Sequence, residues 1–495
     1  MGSIDTSASA DFDVLIIGAG ISGINAAYRV QTELPAYKYA ILESRNAIGG
    51  TWDLFRYPGI RSDSDLYTFG FAWRPWSSPK SIADGESIRT YVKESAEQYG
   101  IDQKIKFHHK VLAGDWSSAD QRWNLTVDNN GDKKTFSARF MILSTGYYDY
   151  NEPLKADIPG IDKFQGQVIH PQFWPEDLDY SEKKIVVIGS GATAITLIPS
   201  LADNAAKVTM LQRSPTYIMA LPTVDPSGNW MRRWFPSWLA SKLIRWQFLV
   251  LSFIFFKFCK AFPNAGKKLI RANNKKLVPP SIPLDPNFKP SYNPWEQRLC
   301  VCPDGDFFKS LQKGKADVVT DTIKNVTGNG IQTEGGKFLD TDIIITATGL
   351  KMQLAGGMNV SVDGKVILPA NKYIWKGVML QDLPNAAFVV GYTNASWTLG
   401  ADVTAKLVCR LLKRMDANKQ SSAVPRVPEG KNLKPVQLLN LNSTYIEKAK
   451  GTLPMGGDIA PWKPRANYLV DHWTADYGNL TADLEFTKGL KSKAY

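Results

Sequence analysis

The hydrophobic and polar pattern near the N-terminus predicts a buried strand, a tight turn and an amphipathic helix in close succession. The strand is Val14-Leu15-Ile16-Ile17, the turn is Gly18-Ala19-Gly20-Ile21-Ser22-Gly23, and the helix continues to about Val30. A second apolar strand, 39–43, ends in Glu43, twenty residues beyond Gly23. This G-x-G-x-x-G string lies between a strand and a helix and has an acid at the expected distance, so it predicts a Rossmann-type dinucleotide site.

Each fixed position of that motif has a physical role. Gly18 makes the tight turn, Gly20 lets a pyrophosphate approach the backbone, and Gly23 lets the helix pack closely on the strand. The helix N-terminus then holds phosphates, while the Glu43 carboxylate accepts hydrogen bonds from ribose hydroxyls. The alternative is a glycine-rich turn that binds no nucleotide.

A second copy of the pattern follows in the middle of the chain. The strand 185–188 precedes Gly189-Ser190-Gly191-Ala192-Thr193-Ala194, and the next strand, 208–212, ends at Arg213 and Ser214. Ala194 replaces the third glycine and still permits close packing. No acid stands at the ribose end, and the Arg213 guanidinium suits a 2′-phosphate, so NADPH fits this site better than NADH. The alternative for Arg213 is a solvated arginine at a strand end.

Two further strands that end in Thr-Gly, 140–146 and 343–349, indicate where the chain passes between domains. The predicted fold class is α/β, with two Rossmann-like dinucleotide-binding domains. The FAD-binding domain comprises 12–150 and 340–495, and the NADP-binding domain comprises 151–339 with a helical, basic insertion at about 225–290. Residues 1–11 are expected to be disordered. Two nucleotide sites in one chain imply electron transfer between cofactors, most simply from a nicotinamide to a flavin.

Composition supports a large globular enzyme of two or three domains. The chain has 495 residues, of which 44% are hydrophobic, and only four Cys and four His. So few cysteines do not form a disulfide scaffold, which favours a reducing, cytoplasmic setting. The scattered histidines and cysteines do not predict a metal site.

The net charge of +12 is concentrated in one segment, 226–284, which has no acidic residue. Removing its eleven cations leaves 12 − 11 = +1 for the rest of the chain. The cations are Arg232, Arg233, Lys242, Arg245, Lys257, Lys260, Lys267, Lys268, Arg271, Lys275 and Lys276.

Within that segment, the eleven residues 246–256 are uncharged and apolar on nearly every face. As a helix they extend about 16 Å, roughly half of a ~30 Å hydrocarbon core, so they should not span a bilayer. Two alternatives remain open: peripheral contact with an anionic membrane surface, or a buried helix with solvated cationic neighbours. Nucleic acid is not expected, because the aromatic residues are not interleaved with the cations.

The segment between the two glycine motifs matches a long fingerprint. Residues 164–175, Phe-Gln-Gly-Gln-Val-Ile-His-Pro-Gln-Phe-Trp-Pro, fit F-x-G-x-x-x-H-x-x-x-W-P in full. The chain therefore resembles the type I (class B) Baeyer–Villiger monooxygenases. The blocks 49–65, 108–111, 292–300 and 391–399 resemble the ethionamide-activating FAD-containing monooxygenase branch, and the similarity extends from about 12 to 480.

This resemblance implies an FAD-dependent enzyme that uses NADPH and dioxygen. A peroxide formed on the reduced flavin converts ketones to esters or lactones, and the same oxidant transfers oxygen to sulfur. Arg298 matches the family's active-site arginine, a permanent cation beside the reacting oxygen, and Asp63 matches its carboxylate partner. His170 and Trp174 lie in the interdomain linker and are expected to fix domain geometry.

The same residue-by-residue match implies the cofactor contacts. For FAD they are Gly18, Gly20, Ser22, Gly23, Glu43, Gly50, Thr51, Trp52, Asp53, Leu54, Asp63 and Val111. For NADP they are Arg61, Ser62, Asp63, Gly189, Ser190, Gly191, Ala192, Thr193, Ala194, Ile195, Arg213 and Ser214. One departure is Gln297, where many family members have a lysine that grips the 2′-phosphate, so the preference for NADPH rests mostly on Arg213.

Three other functions share some of these features. A flavin monooxygenase acting mainly on sulfur or nitrogen is the nearest. A flavin disulfide reductase is disfavoured because Cys300-Val301-Cys302 has the wrong spacing. A nucleotide sensor without catalysis has no need of both Arg298 and Asp63. The expected partners are a small ketone or sulfide and dioxygen, while the natural substrate and the oligomeric state do not follow from one sequence.

Overall fold

The computed structural model describes residues 11–439, 451–465 and 467–488. The predicted disorder of 1–11 therefore falls outside the described residues, except for Asp11. The strands are β1 Phe12–Ile17, β2 Tyr39–Leu42, β3 Ile105–Lys106, β4 Lys110–Ser117, β5 Arg122–Asn129, β6 Asp132–Leu143, β7 Gln167–Ile169, β8 Lys184–Ile188, β9 Lys207–Gln212, β10 Ile218–Leu221, β11 Cys300–Pro303, β12 Ala316–Thr320, β13 Ile323–Thr327, β14 Gly330–Thr333, β15 Phe338–Asp340, β16 Ile343–Thr346, β17 Asn359–Val362, β18 Lys365–Val366, β19 Ile374–Trp375, β20 Met379–Leu380, β21 Ala386–Phe388, β22 Gln420–Pro425, β23 Pro435–Gln437, β24 Met455–Gly457 and β25 Leu484–Lys488.

The α-helices of the described residues belong to both domains and to the insertion. They are α1 Ile21–Glu33, α2 Thr51–Leu54, α3 Leu66–Phe69, α4 Gly85–Gln98, α5 Ala192–Ala202, α6 Pro226–Trp234, α7 Ser237–Ala261, α8 Pro263–Leu277, α9 Leu284–Asn287, α10 Asp306–Gln312, α11 Trp397–Ala417 and α12 Tyr468–Tyr477. Short 3₁₀ turns occupy Asp102–Lys104, Ile161–Lys163, Pro171–Phe173, Ala355–Gly357 and Pro369–Asn371.

The first domain is built on a mixed sheet in the order β18-β17-β4-β5-β6-β1-β2-β3, with β21 also pairing with β6. Strand β1 pairs in parallel with both β2 and β6, and α1 makes the crossover between β1 and β2. The helices α1, α4 and α11 bury one face of this sheet, and Trp116, Trp123 and their neighbours fill the other. Because both faces are covered, the central strands are continuously apolar, as a buried parallel strand requires.

The second domain is a parallel sheet in the order β12-β9-β8-β16-β7. Helix α5 connects β8 to β9, so the second glycine motif also lies in a βαβ unit. Strand β16 pairs with β8 and β7. The chain therefore returns to the first domain after Thr346, and a boundary at 340 is several residues too early. The boundary is misplaced because the Thr-Gly ending of β16 does not show which of the two sheets the strand joins.

The two passages between the domains lie side by side. Gln353 donates its backbone N–H to the Tyr147 carbonyl at 3.1 Å, and Tyr148 forms an isolated bridge with Met352. Helices α6 to α9 form the predicted helical insertion of the second domain, between β10 and β11. The fold is α/β with two Rossmann-like domains, and the insertion reaches across to the first domain.

Candidate active site

A cavity of about 640 Å³ lies between the two domains and the helical insertion. Its volume is within the usual range for small-molecule sites. The first glycine loop contributes Gly20 and Ser22, and the second domain contributes Arg298. The third wall is helix α7, which presents aromatic and aliphatic side chains including Phe248, Phe253 and Phe256.

The first glycine loop has the shape that a nucleotide requires. Gly18 has φ +103°, and a Cβ there would lie 2.7 Å from the Ser144 carbonyl oxygen. A Cβ on Gly23 would lie 1.9 Å from the Gly18 oxygen, so helix and loop pack as closely as predicted. At Gly20, in contrast, the backbone is extended and the nearest protein atom to a Cβ is the Gly50 Cα at 3.6 Å. Protein packing does not demand a glycine there, and the space it leaves opens to the cavity, which fits the pyrophosphate of FAD.

Glu43 directly follows β2 and is buried at 6% exposure. Its Oε2 accepts from the Ala19 N–H at 2.6 Å, and its Oε1 accepts from the Arg45 N–H at 2.9 Å. The carboxylate thus fixes the loop and keeps acceptor capacity for ribose hydroxyls, since two carboxylate oxygens offer about four lone-pair sites. Val111, at the start of β4, is buried, and two residues before it His109 donates its N–H to the Glu43 carbonyl. Neither side chain lines the cavity, so their contacts with FAD stay a prediction.

The predicted FAD residues 50–54 divide into two groups. Gly50, Thr51 and Trp52 line the cavity. Thr51 accepts a 2.6 Å hydrogen bond from the hydroxyl of Tyr148, and Ser22 accepts one of 2.9 Å from the indole N–H of Trp397.

Asp53 and Leu54 are not among the cavity-lining residues. Asp53 is buried and pairs with three arginines, Arg45 at 2.6 Å, Arg56 at 3.0 Å and Arg89 at 3.3 Å. Its carboxylate is therefore committed to holding α2 against α4. The structure does not bring these two side chains to the rest of the predicted site.

Arg298 and Asp63, the predicted catalytic pair, lie on the same cavity. Asp63 is half-buried, Arg298 is exposed on the wall, and the two come from different domains. Burial raises the pKa of the Asp63 carboxyl above its usual value, although the positive charges of Arg298 and Arg61 oppose that rise. Arg61 also lines the cavity and forms an ion pair with Asp306 at the start of α10. Two guanidinium groups thus flank one carboxylate where the domains meet, with Ser62 buried beside them.

The second glycine loop lies outside this cavity, on a more open surface. Gly191 is exposed, and a Cβ there would meet nothing within 4 Å, whereas one on Gly189 would lie 2.3 Å from the Ala347 oxygen. Ser190 Oγ donates to the Ser214 carbonyl at 2.9 Å, which brings the loop and the exposed Arg213 together. Thr193 contacts Tyr57 of the first domain.

Helix α5 starts directly after this loop, within the predicted segment Ala192 to Ile195. The open space at Gly191 and the N-terminus of α5 fit the phosphates of NADP. A guanidinium at the end of β9 suits a 2′-phosphate.

His170 lies where the two passages between the domains meet. Its Nδ1 accepts from the Gln172 N–H at 3.2 Å, and its Nε2 is 3.2 Å from the Gly349 carbonyl oxygen, to which it donates. Burial lowers the pKa of His170, so the ring is neutral at pH 7. Gln172 in turn donates to the Asp149 carbonyl at 2.6 Å. These bonds join the outgoing and the returning chain, and His170 does not line the cavity.

The cysteines of β11 do not form a redox pair. Cys300 and Cys302 are buried and free. Burial raises the pKa of Cys302 to about 12 and raises the pKa of Cys300 as well, so both stay protonated thiols. Among the described residues no group of three or more His, Cys, Asp or Glu side chains is placed to hold a metal ion.

The sequence interpretation missed several cavity residues. Helix α7 supplies most of one wall, and Tyr148 and Trp397 donate hydrogen bonds to Thr51 and Ser22. For α7 a signal was available: residues 246–256 are apolar on nearly every face, yet Gln247 and Ser252 interrupt the run. A helix that is apolar on every face is normally buried, either in the core of a large protein or in a membrane.

Comparisons with known proteins agree with this geometry. Residues 77–235 match the model of the flavin-binding monooxygenase-like family, and residues 16–78 match that of an NAD(P)-binding Rossmann-like domain. The chain is 48% identical over 479 residues to the FAD-containing monooxygenase EthA of Mycolicibacterium smegmatis, covering 96% of this chain and 97% of that protein.

Solved structures share the fold. Oxidized steroid monooxygenase bound to NADP matches with a TM-score of 0.74 at 20% identity, over 97% of this chain and 100% of that one. The complex of OTEMO with FAD and NADP matches with a TM-score of 0.72 at 19% identity and the same coverage.

Proposed function

The chain belongs to the EthA branch of the FAD-containing monooxygenases, within the type I Baeyer–Villiger family. We propose that it inserts an oxygen atom beside the carbonyl carbon of an apolar ketone. It is an NADPH-dependent flavin monooxygenase with FAD and NADP as cofactors. The proposed overall reaction consumes one ketone, one O₂, one NADPH and one proton. It yields one ester or lactone, one NADP⁺ and one water, so atoms and electrons balance.

The observation that carries the proposal is the convergence of Arg298 and Asp63 on one cavity from different domains. Bound FAD, once reduced by NADPH, supplies the activation of dioxygen. The Arg298 guanidinium cannot lose its proton at working pH and donates N–H hydrogen bonds to negative charge that develops on the ketone oxygen. Asp63 orients that guanidinium and balances its charge. Charge-assisted hydrogen bonds of this kind are about twice as strong as neutral ones.

The remaining walls exclude water and select an apolar substrate. Tyr148, Trp397 and the aromatic residues of α7 surround the space next to Arg298. A charged group stabilises a transition state more effectively where water is excluded, because the local dielectric constant is low. These walls favour a ketone with a hydrocarbon chain or ring over a small hydrophilic one.

The first test replaces Arg298 with alanine in the FAD-bound enzyme. We expect NADPH still to reduce the flavin, because the second glycine loop is untouched, while ester formation falls by a factor of about 100 or more, as for the loss of one preorganised donor. The measurement follows flavin absorbance anaerobically and the organic product by mass spectrometry. Arg298→Lys is the matched variant, which keeps the charge without the planar fork and is expected to retain part of the activity.

An Arg298→Ala enzyme that forms ester at the parental rate would contradict this role. The rival function is tested in parallel with an aryl sulfide and a tertiary amine. Oxygen transfer to those compounds, with no ester from linear, cyclic or aryl ketones, would replace the proposal with a sulfur- or nitrogen-oxidising monooxygenase.

A further inference from the structure

The helices α6, α7 and α8 leave a broad apolar face without a protein partner in the described part of the chain. Trp234 is 66% exposed, Trp246 is 56% exposed and Ile254 is 56% exposed. Within the 25 residues of α7, only Ala240, Ile244 and Cys259 are buried. A cluster of exposed aromatic and aliphatic side chains of this kind marks an interaction surface. A buried helix, one of the two alternatives left open by the sequence, does not fit these exposed side chains.

The outer and inner faces of α7 have different neighbours. Trp246, Val250 and Ile254 follow each other at intervals of four residues and are all exposed, which places them on one outward side of the helix. Phe248, Phe255 and other residues of the opposite side line the cavity. Leu251 belongs to both, since it lines the cavity and is 56% exposed. The helix is therefore a wall between the active-site cavity and the exterior.

The charge around this face selects the occupant. The segment 226–284 has eleven cations and no acid, and most of these side chains are exposed. Lys242 lies 5.4 Å from the ring centre of Trp238, and Lys257 lies 5.6 Å from that of Phe253. Lysines beside aromatic rings at the edge of an apolar face match the layered chemistry of a membrane, with anionic headgroups above hydrocarbon. A second copy of this chain would bring two cationic surfaces together and is disfavoured.

Helix α7 lies on the protein and does not cross a bilayer. It has the length and composition of a membrane span, since it is 25 residues long and contains an 18-residue window with a mean hydropathy of 1.5. However, Arg245 near its middle donates hydrogen bonds to the carbonyls of Tyr67 at 2.8 Å and Gly70 at 2.9 Å. Arg232 on α6 similarly binds the Ser78 carbonyl at 3.0 Å. A helix anchored in this way, with one face on the cavity, presents only its outer face to lipid.

A second exposed patch adjoins the cavity from the first domain. On α12, Val470 and Trp473 are exposed, and the neighbouring Tyr468 and Leu469 line the cavity. Tyr468 also contacts Arg245 of α7. Apolar exposed side chains thus flank the cavity from both domains.

We propose that the outer face of α6 to α8 docks on an anionic lipid bilayer, and that an apolar substrate passes from the bilayer past Leu251 into the cavity. The docking follows from the exposed apolar side chains and the cations of α6 to α8 alone. The substrate route rests, in addition, on the proposed function.

The experiment measures co-sedimentation of the FAD-bound enzyme with vesicles. One set contains phosphatidylcholine and phosphatidylserine, and the other contains phosphatidylcholine alone. We expect binding to the anionic vesicles that falls steeply with salt, and weak binding to the neutral ones. No binding to anionic vesicles at low salt would overturn the docking, as would equal binding to both kinds.

Two triple variants locate the surface. Trp238→Gln, Trp246→Gln and Ile254→Gln remove outward apolar groups that do not line the cavity, and glutamine is a good helix former. Lys257→Gln, Lys260→Gln and Lys268→Gln remove exposed cations, which should lower the binding constant by about a hundredfold. Each variant has a matched control on another surface of the chain. The control for the apolar variant is Val366→Gln, Leu368→Gln and Ile459→Gln. The control for the cationic variant is Lys106→Gln, Lys133→Gln and Lys134→Gln. Equal losses in a variant and its control would overturn the assignment of this face.

Activity and self-association complete the test. With a water-soluble ketone, the apolar triple variant should turn over at the parental rate. With a long-chain ketone presented in anionic vesicles, its apparent KM should rise at least tenfold, and an unchanged KM would overturn the substrate route. Vesicle binding by an enzyme that oxidises no ketone would leave the docking standing and reject the proposed function. Sedimentation velocity showing a dimer that the same triple variant dissociates, without vesicle binding, would assign the face to a second copy.

Discussion

At the scale of single residues, the protonation of Asp63 controls the charge next to Arg298. Burial raises the pKa of this carboxyl above the usual value, while Arg298 and Arg61 act in the opposite direction. Asp63 therefore takes up a proton at a higher pH than an ordinary aspartate as the solution is acidified. In the window between its ordinary and its raised pKa the folded state binds more protons than the unfolded state, so this group's contribution to stability falls as the pH rises through that window.

Replacing Asp63 with asparagine should remove this titration. We expect ester formation to fall about tenfold or more near neutral pH because Arg298 loses its carboxylate partner, and the acid limb of the rate profile due to this group to disappear. We expect no loss of melting temperature at pH 7, because the raised pKa means that the charged form of this carboxyl lowers the stability of the folded state. The measurements are kcat from pH 5 to 9 and calorimetry, with the exposed Asp162→Asn as control. A variant that keeps the parental acid limb would show that another group titrates there.

At the same scale, we expect Arg213 to determine the preference for NADPH over NADH. It is exposed directly after β9, and the adjacent Ser214 carbonyl is held by Ser190 of the glycine loop. Arg213→Ala should raise the KM for NADPH about tenfold or more and leave that for NADH nearly unchanged, because only the phosphorylated cofactor loses a charge-assisted contact. Steady-state kinetics with both cofactors test this, with the exposed Lys324→Ala as control. Equal increases for the two cofactors would place the 2′-phosphate elsewhere.

At the scale of elements, the glycines of the first loop separate folding from cofactor binding. A Cβ on Gly20 meets only ordinary contacts within the protein, whereas one on Gly23 would overlap the Gly18 oxygen at 1.9 Å. We expect Gly20→Ala to fold with a far-ultraviolet spectrum like the parent's and to lose FAD on gel filtration, since the methyl group occupies the space of the pyrophosphate. Gly23→Ala should instead fail to reach the native fold, because helix and loop are forced apart. Visible absorbance at the flavin band and circular dichroism distinguish the two outcomes. Tight retention of FAD by Gly20→Ala would show that the pyrophosphate does not lie against this glycine.

The elements also show which inferences a sequence supports. Both βαβ units are predictable because strand, glycine turn and helix are contiguous, so the signal is local. The pairing of β16 with β8 is not, since its partner lies more than 150 residues away. The pairs of Asp53 with Arg89 and of Arg61 with Asp306 escape prediction because their partners come together only in the folded chain. The run 246–256 indicates a helix shorter than α7, because α7 also includes the cationic residues on both sides of that run and extends from its N-cap Pro236 to Ala261.

At the scale of the whole molecule, the fold class, the confirmed family and both cofactors follow from two glycine motifs and one long fingerprint. The shape of the cavity does not, because it is assembled from many separated parts of the chain, among them the first glycine loop, α7 and the segment around Arg298. Such an assembly depends on the angle between two domains and on an insertion with no periodic signature of its own. The catalytic roles of Arg298 and Asp63 stay predictions that the kinetic variants test.

The side-by-side passages near Tyr147 and Gln353 have a consequence for the modularity of the chain. Because these two positions share a backbone hydrogen bond, the NADP-binding domain is an insertion whose first and last residues lie next to each other. The NADP-binding domain is thus an insertion within one continuous first domain, and Phe55 and Tyr57 of that first domain pack into the core of the insertion.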